Sequence, residues 1–87
     1  MFPVSPSVAL EMIRGYALAR RIRVTGHAYD RMRRRGVQFH DLRFALMQAK
    51  TCTADDEKWK VTGPDEDGDA LTCIVVLEAE VVVVTVF

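Results

Sequence analysis

Leu71-Thr72-Cys73-Ile74-Val75-Val76-Leu77-Glu78-Ala79-Glu80-Val81-Val82-Val83-Val84-Thr85-Val86-Phe87 closes the 87-residue chain. Its density of β-branched residues, interrupted only by Glu78-Ala79-Glu80, predicts two antiparallel strands, 71–77 and 81–87, joined by a tight turn. A half-exposed strand alternates apolar and polar side chains, and Val81 to Val84 does not alternate. The expectation is therefore a strand covered on both faces, either central in its sheet or covered on its second face by a partner or a second copy of the chain.

Working back from this hairpin, Trp59 to Thr62 reads as a further strand, and Gly63-Pro64-Asp65-Glu66-Asp67-Gly68-Asp69 as a solvated acidic turn. Together these segments order as an antiparallel meander. The N-terminal half has the helical period instead. Ser5-Pro6 opens a helix over 6–20, with Ser5 as N-cap and Pro6 at the first helical position, where a missing N–H is not needed. Val8, Met12, Ile13, Tyr16 and Ala17 recur at its spacing. Arg21-Ile22-Arg23-Val24-Thr25 alternates as a short edge strand, with arginines on one side. His27 to Arg35 forms a second helix stopped by Gly36, and Gln38 and Asp41 pair as a cap for a third, over 39–49. Its apolar stripe is Leu42, Ala45, Leu46 and Ala49. The fold class is α+β, with N-terminal helices packed on a C-terminal antiparallel sheet.

The length fits one domain, residues 1–87, and 49% hydrophobic residues supply a core. The formal net charge is zero. From Arg14 to Lys50, however, ten basic residues face only Asp30 and Asp41, whereas from Thr51 to Phe87 nine acidic residues face only Lys58 and Lys60. Such segregation points to a polyanion-binding surface on the first half, or to solvated helix faces. No stretch approaches the roughly 18 apolar residues of a membrane span, and the N-terminus lacks the basic flank and apolar run of a signal peptide. Cys52 and Cys73 lie in strand-like segments and read as buried thiols. These features lead to the expectation of a cytoplasmic protein.

The chemistry-bearing stretch is His27-Ala28-Tyr29-Asp30-Arg31-Met32-Arg33-Arg34-Arg35-Gly36-Val37. On a helix His27, Arg31 and Arg35 share one side, while Ala28 and Met32 turn inward. Guanidinium forks match phosphate oxygens, and an imidazole moves protons near neutrality. RNA cleavage by 2′-hydroxyl attack needs a base, a cation at the phosphorane and an acid at the leaving oxygen. His27, Arg31 and Arg35 are the candidate catalytic set; Arg23 and Arg34 could steer the backbone and Trp59, between Lys58 and Lys60, could stack a base. The competing readings are a helix-terminal histidine, solvated arginines and a core tryptophan. No metal is expected, because His27, His40, Cys52 and Cys73 lack zinc-ligand spacing and the loop 65–69 lacks a calcium loop's alternation and closing glutamate. No cofactor is expected either.

His27-Ala28, Arg31-Met32, Arg35-Gly36-Val37 and the closing Val84-Thr85-Val86-Phe87 resemble the bacterial domain-of-unknown-function family 4258, grouped with RelE/BrnT-like toxins. Its pattern reads His-Ala-x-x-Arg-Met-x-x-Arg-Gly-Ile/Val, then a helix, then strands ending in Val-Thr-Val-Tyr. The resemblance covers about residues 22–87 and leaves 1–21 as an accessory helical segment. It implies a RelE/BrnT-like fold and a toxin-like, metal-independent endoribonuclease (an mRNA interferase of a toxin–antitoxin system) or an RNA-binding descendant, with RNA and a cognate antitoxin-like protein as partners. Phe87 stands where the pattern has tyrosine, so that hydroxyl is absent. The alternative is a non-catalytic interaction module of the same fold, docking an acidic partner or forming a homodimer.

Overall fold

Ser5 and Pro6 start the first helix as their chemistry requires. In the computed structural model, which describes residues 4–87, the Ser5 hydroxyl accepts from the Val8 amide (3.3 Å) and α1 runs Pro6–Leu18. Met1, Phe2 and Pro3 lie outside the described residues. The buried stripe of α1 is Ala9, Ile13 and Ala17, rotated from the expected one, and Val8 stays exposed. Arg20, in the left-handed region at φ 63°, turns the chain into β1 (Ile22–Val24). Then follow α2 (Gly26–Arg35), α3 (Phe39–Met47), β2 (Thr51–Asp55), β3 (Lys58–Pro64), β4 (Ala70–Leu77) and β5 (Val81–Val86).

The strands form one sheet in the order β1-β5-β4-β3-β2. Strands β2 to β5 make the expected antiparallel meander, extended by β2, which had no place in the strand order read from sequence. The expectation of a wholly antiparallel C-terminal sheet is corrected at β1: it pairs with β5 in parallel, Ile22 opposite Val81 and Val24 opposite Val83, so the sheet is mixed. The class remains α+β. All three helices lie on one face, α2 on β5, α3 on β3, and α1 against α3 and β2. Between the layers sits one core cluster that includes Ile13, Met32, Leu42, Leu46, Val61, Val75, Val81 and Val83.

Two sites fix the alignment of helices and sheet. Gly63, read from sequence as part of the acidic turn, is a buried strand residue opposite Leu71. A β-carbon there would stand 2.1 Å from the Ala45 carbonyl oxygen and 3.0 Å from the Ala49 Cα, so α3 rests backbone to backbone on β3. The second is a β-bulge in β5: Val83 pairs with Val75 and Thr85 with Ile74, which leaves Val84 without a partner on β4. The Thr25 hydroxyl donates to the Val84 carbonyl (3.1 Å) and accepts from the Ala28 amide (3.1 Å), so one side chain both caps α2 and ties it to the bulge.

The valine run thus lies inside the sheet, between β1 and β4. Val81 and Val83 are fully buried beneath the helices, and Val82, on the opposite face between Arg23 and Val76, is 5% exposed in the single chain. Cys52 and Cys73 are free thiols on one sheet face, separated by Val61 of the intervening strand. Two strand spacings, about 10 Å, exceed the reach of a disulfide. Burial pushes the Cys73 thiol up to about 12 and raises Cys52 as well, so Cys73 stays protonated and packs as a small hydrophobe.

Gly63→Ala should lower stability by about 3 kcal/mol or more, because neither backbone in the contact can yield without parting α3 from β3; a denaturant midpoint within error of the parent would refute the close approach. Val82→Lys and Val83→Lys should part company. A lysine at 83 leaves an unpaired ammonium under the helices and abolishes folding, whereas one at 82 can extend its amine past the sheet surface and only lowers the melting temperature. Circular dichroism melts of both variants read the difference.

Candidate functional site

The register of α2 is set at both ends, by Thr25 and by Gly36, whose φ of 69° lets the chain leave the helix. Ala28 and Met32 are thereby buried, and His27, Arg31 and Arg35 share one side at four-residue spacing, as expected. His27 and Arg35 are exposed; Arg31 is half-buried, and its Nε donates to the Val86 carbonyl oxygen (3.3 Å). That bond holds the Arg31 guanidinium at the end of β5 with its terminal nitrogens left over for another acceptor. Arg34 lies one residue round the helix and pairs with Asp30 at 3.2 Å.

Two sequence-proposed RNA contacts lie apart from this group. Arg23 is held by Glu80 (2.9 Å) and Glu78 (3.4 Å), and its pKa is raised first by the hydrogen bond to Glu80. Its charge is already answered by the β4–β5 turn. Trp59 sits opposite Ala54 and Val75, half-buried against the core, whereas Lys60, a neighbour in sequence, faces the other side of the sheet. The aromatic that Lys60 meets is Phe87: the Lys60 ammonium lies 5.8 Å from the ring centroid, and Phe87 is 42% exposed. Sequence reasoning treated Phe87 only as a missing tyrosine. Its placement depends on the bulge at Val84, because an unbroken β5 would put Val86 on the helix-free face and Phe87 beneath the helices. Arg31 thus reaches the end of β5 from the helix side, with Arg35 one turn further along α2 and His27 one turn back, whereas Phe87 and Lys60 meet on the helix-free face of the sheet.

A second polar group joins α3 to the acidic loop. His40 Nδ1 bonds Glu66 Oε1 and lies 3.7 Å from Asp41 Oδ1. The donor atoms of His40, Asp41 and Glu66 lie within 4.8 Å of one another, and these residues could jointly hold a metal ion. As they stand they serve each other: Asp41 accepts from the Gln38 amide (3.1 Å), which caps α3, and Glu66 takes the imidazole. The hydrogen bond to Glu66, with the nearby Asp41 charge, raises the His40 pKa above its ordinary value. A raised pKa means that the protonated ring is favoured in the folded chain. The contact is present below the usual histidine value of about 6.5 and is lost as pH rises through the folded-state value.

An NMR titration should accordingly place His40 above the free-histidine value, and Glu66→Gln should bring it back down. An unshifted His40 would mean that the loop is not held to α3 in solution.

Comparison with family models matches residues 24–87 to the domain of unknown function DUF4258. No curated protein and no solved structure matches the chain. Among the described residues no helix is long and apolar enough to cross a membrane. The match spans the whole of α2, with its His27, Arg31 and Arg35, and every strand but the first two residues of β1. This chain belongs to the DUF4258 family.

Proposed function

We propose that the chain is an RNA-directed domain of the toxin-like kind, a metal-independent endoribonuclease of RelE/BrnT type or an RNA-binding descendant, acting in the cytoplasm. The observation that carries the reading is the arginine side of α2, where His27, Arg31 and Arg35 line up and Arg31 is anchored to the Val86 carbonyl, next in the chain to the exposed Phe87 ring that meets Lys60 on the helix-free face. A single-stranded nucleic acid is bound through phosphate cations together with an aromatic face on which a base stacks; a strand passing round the end of β5 meets the α2 cations on one face of the sheet and the Phe87 ring with Lys60 on the other. Arg31 and Arg35 take successive phosphates, Lys60 assists, and Phe87 supplies the stacking face in place of Trp59.

Catalysis falls to His27. It is the imidazole on the arginine side of α2, exposed and one turn from Arg31, so it is the group to take the 2′-hydroxyl proton as the 2′-oxygen bonds to phosphorus. Arg31 stabilises charge on the phosphorane, and the P–O5′ bond breaks to leave a 2′,3′-cyclic phosphate, the departing 5′-oxygen taking a proton from solvent water. Phe87 has no hydroxyl and contributes no proton. Under this reading a toxin-like chain is restrained by an antitoxin-like partner.

Binding of a short fluorescein-labelled single-stranded RNA tests the patch. Affinity should fall steeply with salt, and Arg31→Ala and Arg35→Ala should each weaken binding and reduce the slope of log K against log salt by about 0.7. Phe87→Ala should weaken binding without changing that slope. Cleavage that persists in EDTA and is lost in His27→Ala, with binding retained, identifies the ribonuclease; binding without cleavage identifies the descendant. A salt-insensitive affinity, or one indifferent to both arginine substitutions, removes the RNA reading.

A further inference from the structure

β1 ends the sheet, and its outer edge is open. The Arg21 carbonyl accepts from the Val81 amide (2.9 Å) and the Thr25 amide donates to the Val83 carbonyl (3.1 Å). Backbone groups alternate sides along a strand, so the Arg21 carbonyl, both groups of Arg23 and the Thr25 amide are directed at β5, and the groups of Ile22 and Val24 point away from the sheet. Two N–H donors and two carbonyl acceptors are thus presented outward in strand register. The other edge strand, β2, is flanked by α1 and runs into Asp55-Asp56-Glu57.

Beside the open edge lies a groove of ≈ 740 Å³ between β1 and α2, lined by Ile22, Val24, Tyr29, Met32, Val37 and Phe39. Tyr29 is 59% exposed and Phe39 45%, which makes this the place where apolar surface and unpaired strand backbone coincide. Arg33 also lines the groove, and Arg20 and Arg21 lead into β1. All three are exposed, and none enters an ion pair among the described residues.

We propose that the free edge of β1, with its groove against α2, takes an acidic-apolar extended segment of another protein as a sixth strand. The outward backbone groups of Ile22 and Val24 supply the hydrogen bonds, alternate apolar side chains of the segment enter the groove, and its carboxylates meet Arg33, Arg20 and Arg21. The charges select this occupant over a second copy. Pairing β1 with β1 about a two-fold axis would bring two sets of the same cations, Arg20, Arg21 and Arg33, to one seam, where like charges repel. The site uses none of Arg31, Arg35 or Phe87, so it stands independently of the RNA reading.

The probe is a fluorescein-labelled peptide, Glu-Val-Glu-Leu-Asp-Val-Glu, titrated with the intact chain by anisotropy. It should bind saturably and shift the Ile22 and Val24 amides in a ¹⁵N correlation spectrum. Two analogues N-methylated at odd or at even positions should separate, one losing at least about tenfold in affinity because its amides face β1. Replacing the acids by lysine should abolish binding, and Arg33→Glu, checked for fold by circular dichroism, should weaken it. No saturable binding at millimolar peptide, or equal binding by both methylated forms, overturns the proposal. So does a chain that sediments as a dimer with protected Ile22 and Val24 amides, or RNA in place of peptide shifting those amides.

Discussion

The bond from the Thr25 hydroxyl to the Val84 carbonyl joins the two elements on which the site is built. Val84 is an extra residue in β5, and a bulge leaves its carbonyl outside the regular ladder, where an unmet acceptor is costly. Thr25 meets it and at the same time caps α2. The extra residue also reverses which side chains face the helices. Before it, Val81 and Val83 point into the core; after it, Val86 does, and Phe87 is carried to the open face beside Lys60. Because α2 is fixed to the strand at its first turn, Arg31 arrives in the second turn within reach of the Val86 carbonyl. The bulge and the side chain that meets it thus set both the exposure of Phe87 and the position of Arg31.

The contact at Gly63 does for α3 what Thr25 does for α2. With no side chain at position 63, the Ala45 carbonyl descends onto β3, and the α3 stripe of Leu42, Ala45 and Leu46 closes over Val61 and Leu71. Only three residues, Gly36 to Gln38, separate α2 from α3, so two anchored helices leave that link little freedom. Phe39, at the start of α3, is held facing β1 as a result, and the groove is a by-product of helices seated for other reasons.

Much of this architecture is legible in the amino-acid sequence. The helices declare themselves through Ser5-Pro6, Gly36 and the Gln38–Asp41 pair, because capping is local chemistry, and Arg23 on an exposed edge follows from simple alternation. The bulge is hidden for a definite reason: in a run of four valines every register looks alike, so no residue marks where the pleat slips. Gly63 is hidden by its neighbours, since Gly-Pro ahead of an acidic run reads as a turn although it completes a strand. The parallel partner of β1 is equally unreadable, because three residues carry no information about which distant edge they join. At the site, the side of α2 can be read from spacing, but Trp59 and Phe87 exchange roles through strand parity alone.

The segregated charge along the chain takes a more specific form once it is folded. Glu78 and Glu80 answer Arg23, Asp30 answers Arg34, and Glu66 takes His40, so part of the basic half is neutralised by acids that the topology returns to it. Arg14 and Arg43 are taken up by backbone carbonyls, and on α2 the remaining cations divide along its flanks, with Arg31 and Arg35 toward the end of β5 and Arg33 toward β1. The two flanks differ in what accompanies the cations. One flank meets the Val86 carbonyl at the end of β5; the other borders strand backbone and an apolar groove. A ten-residue helix therefore carries cations into two different surroundings, which is why the proposed RNA contact and the proposed strand addition rest on different residues.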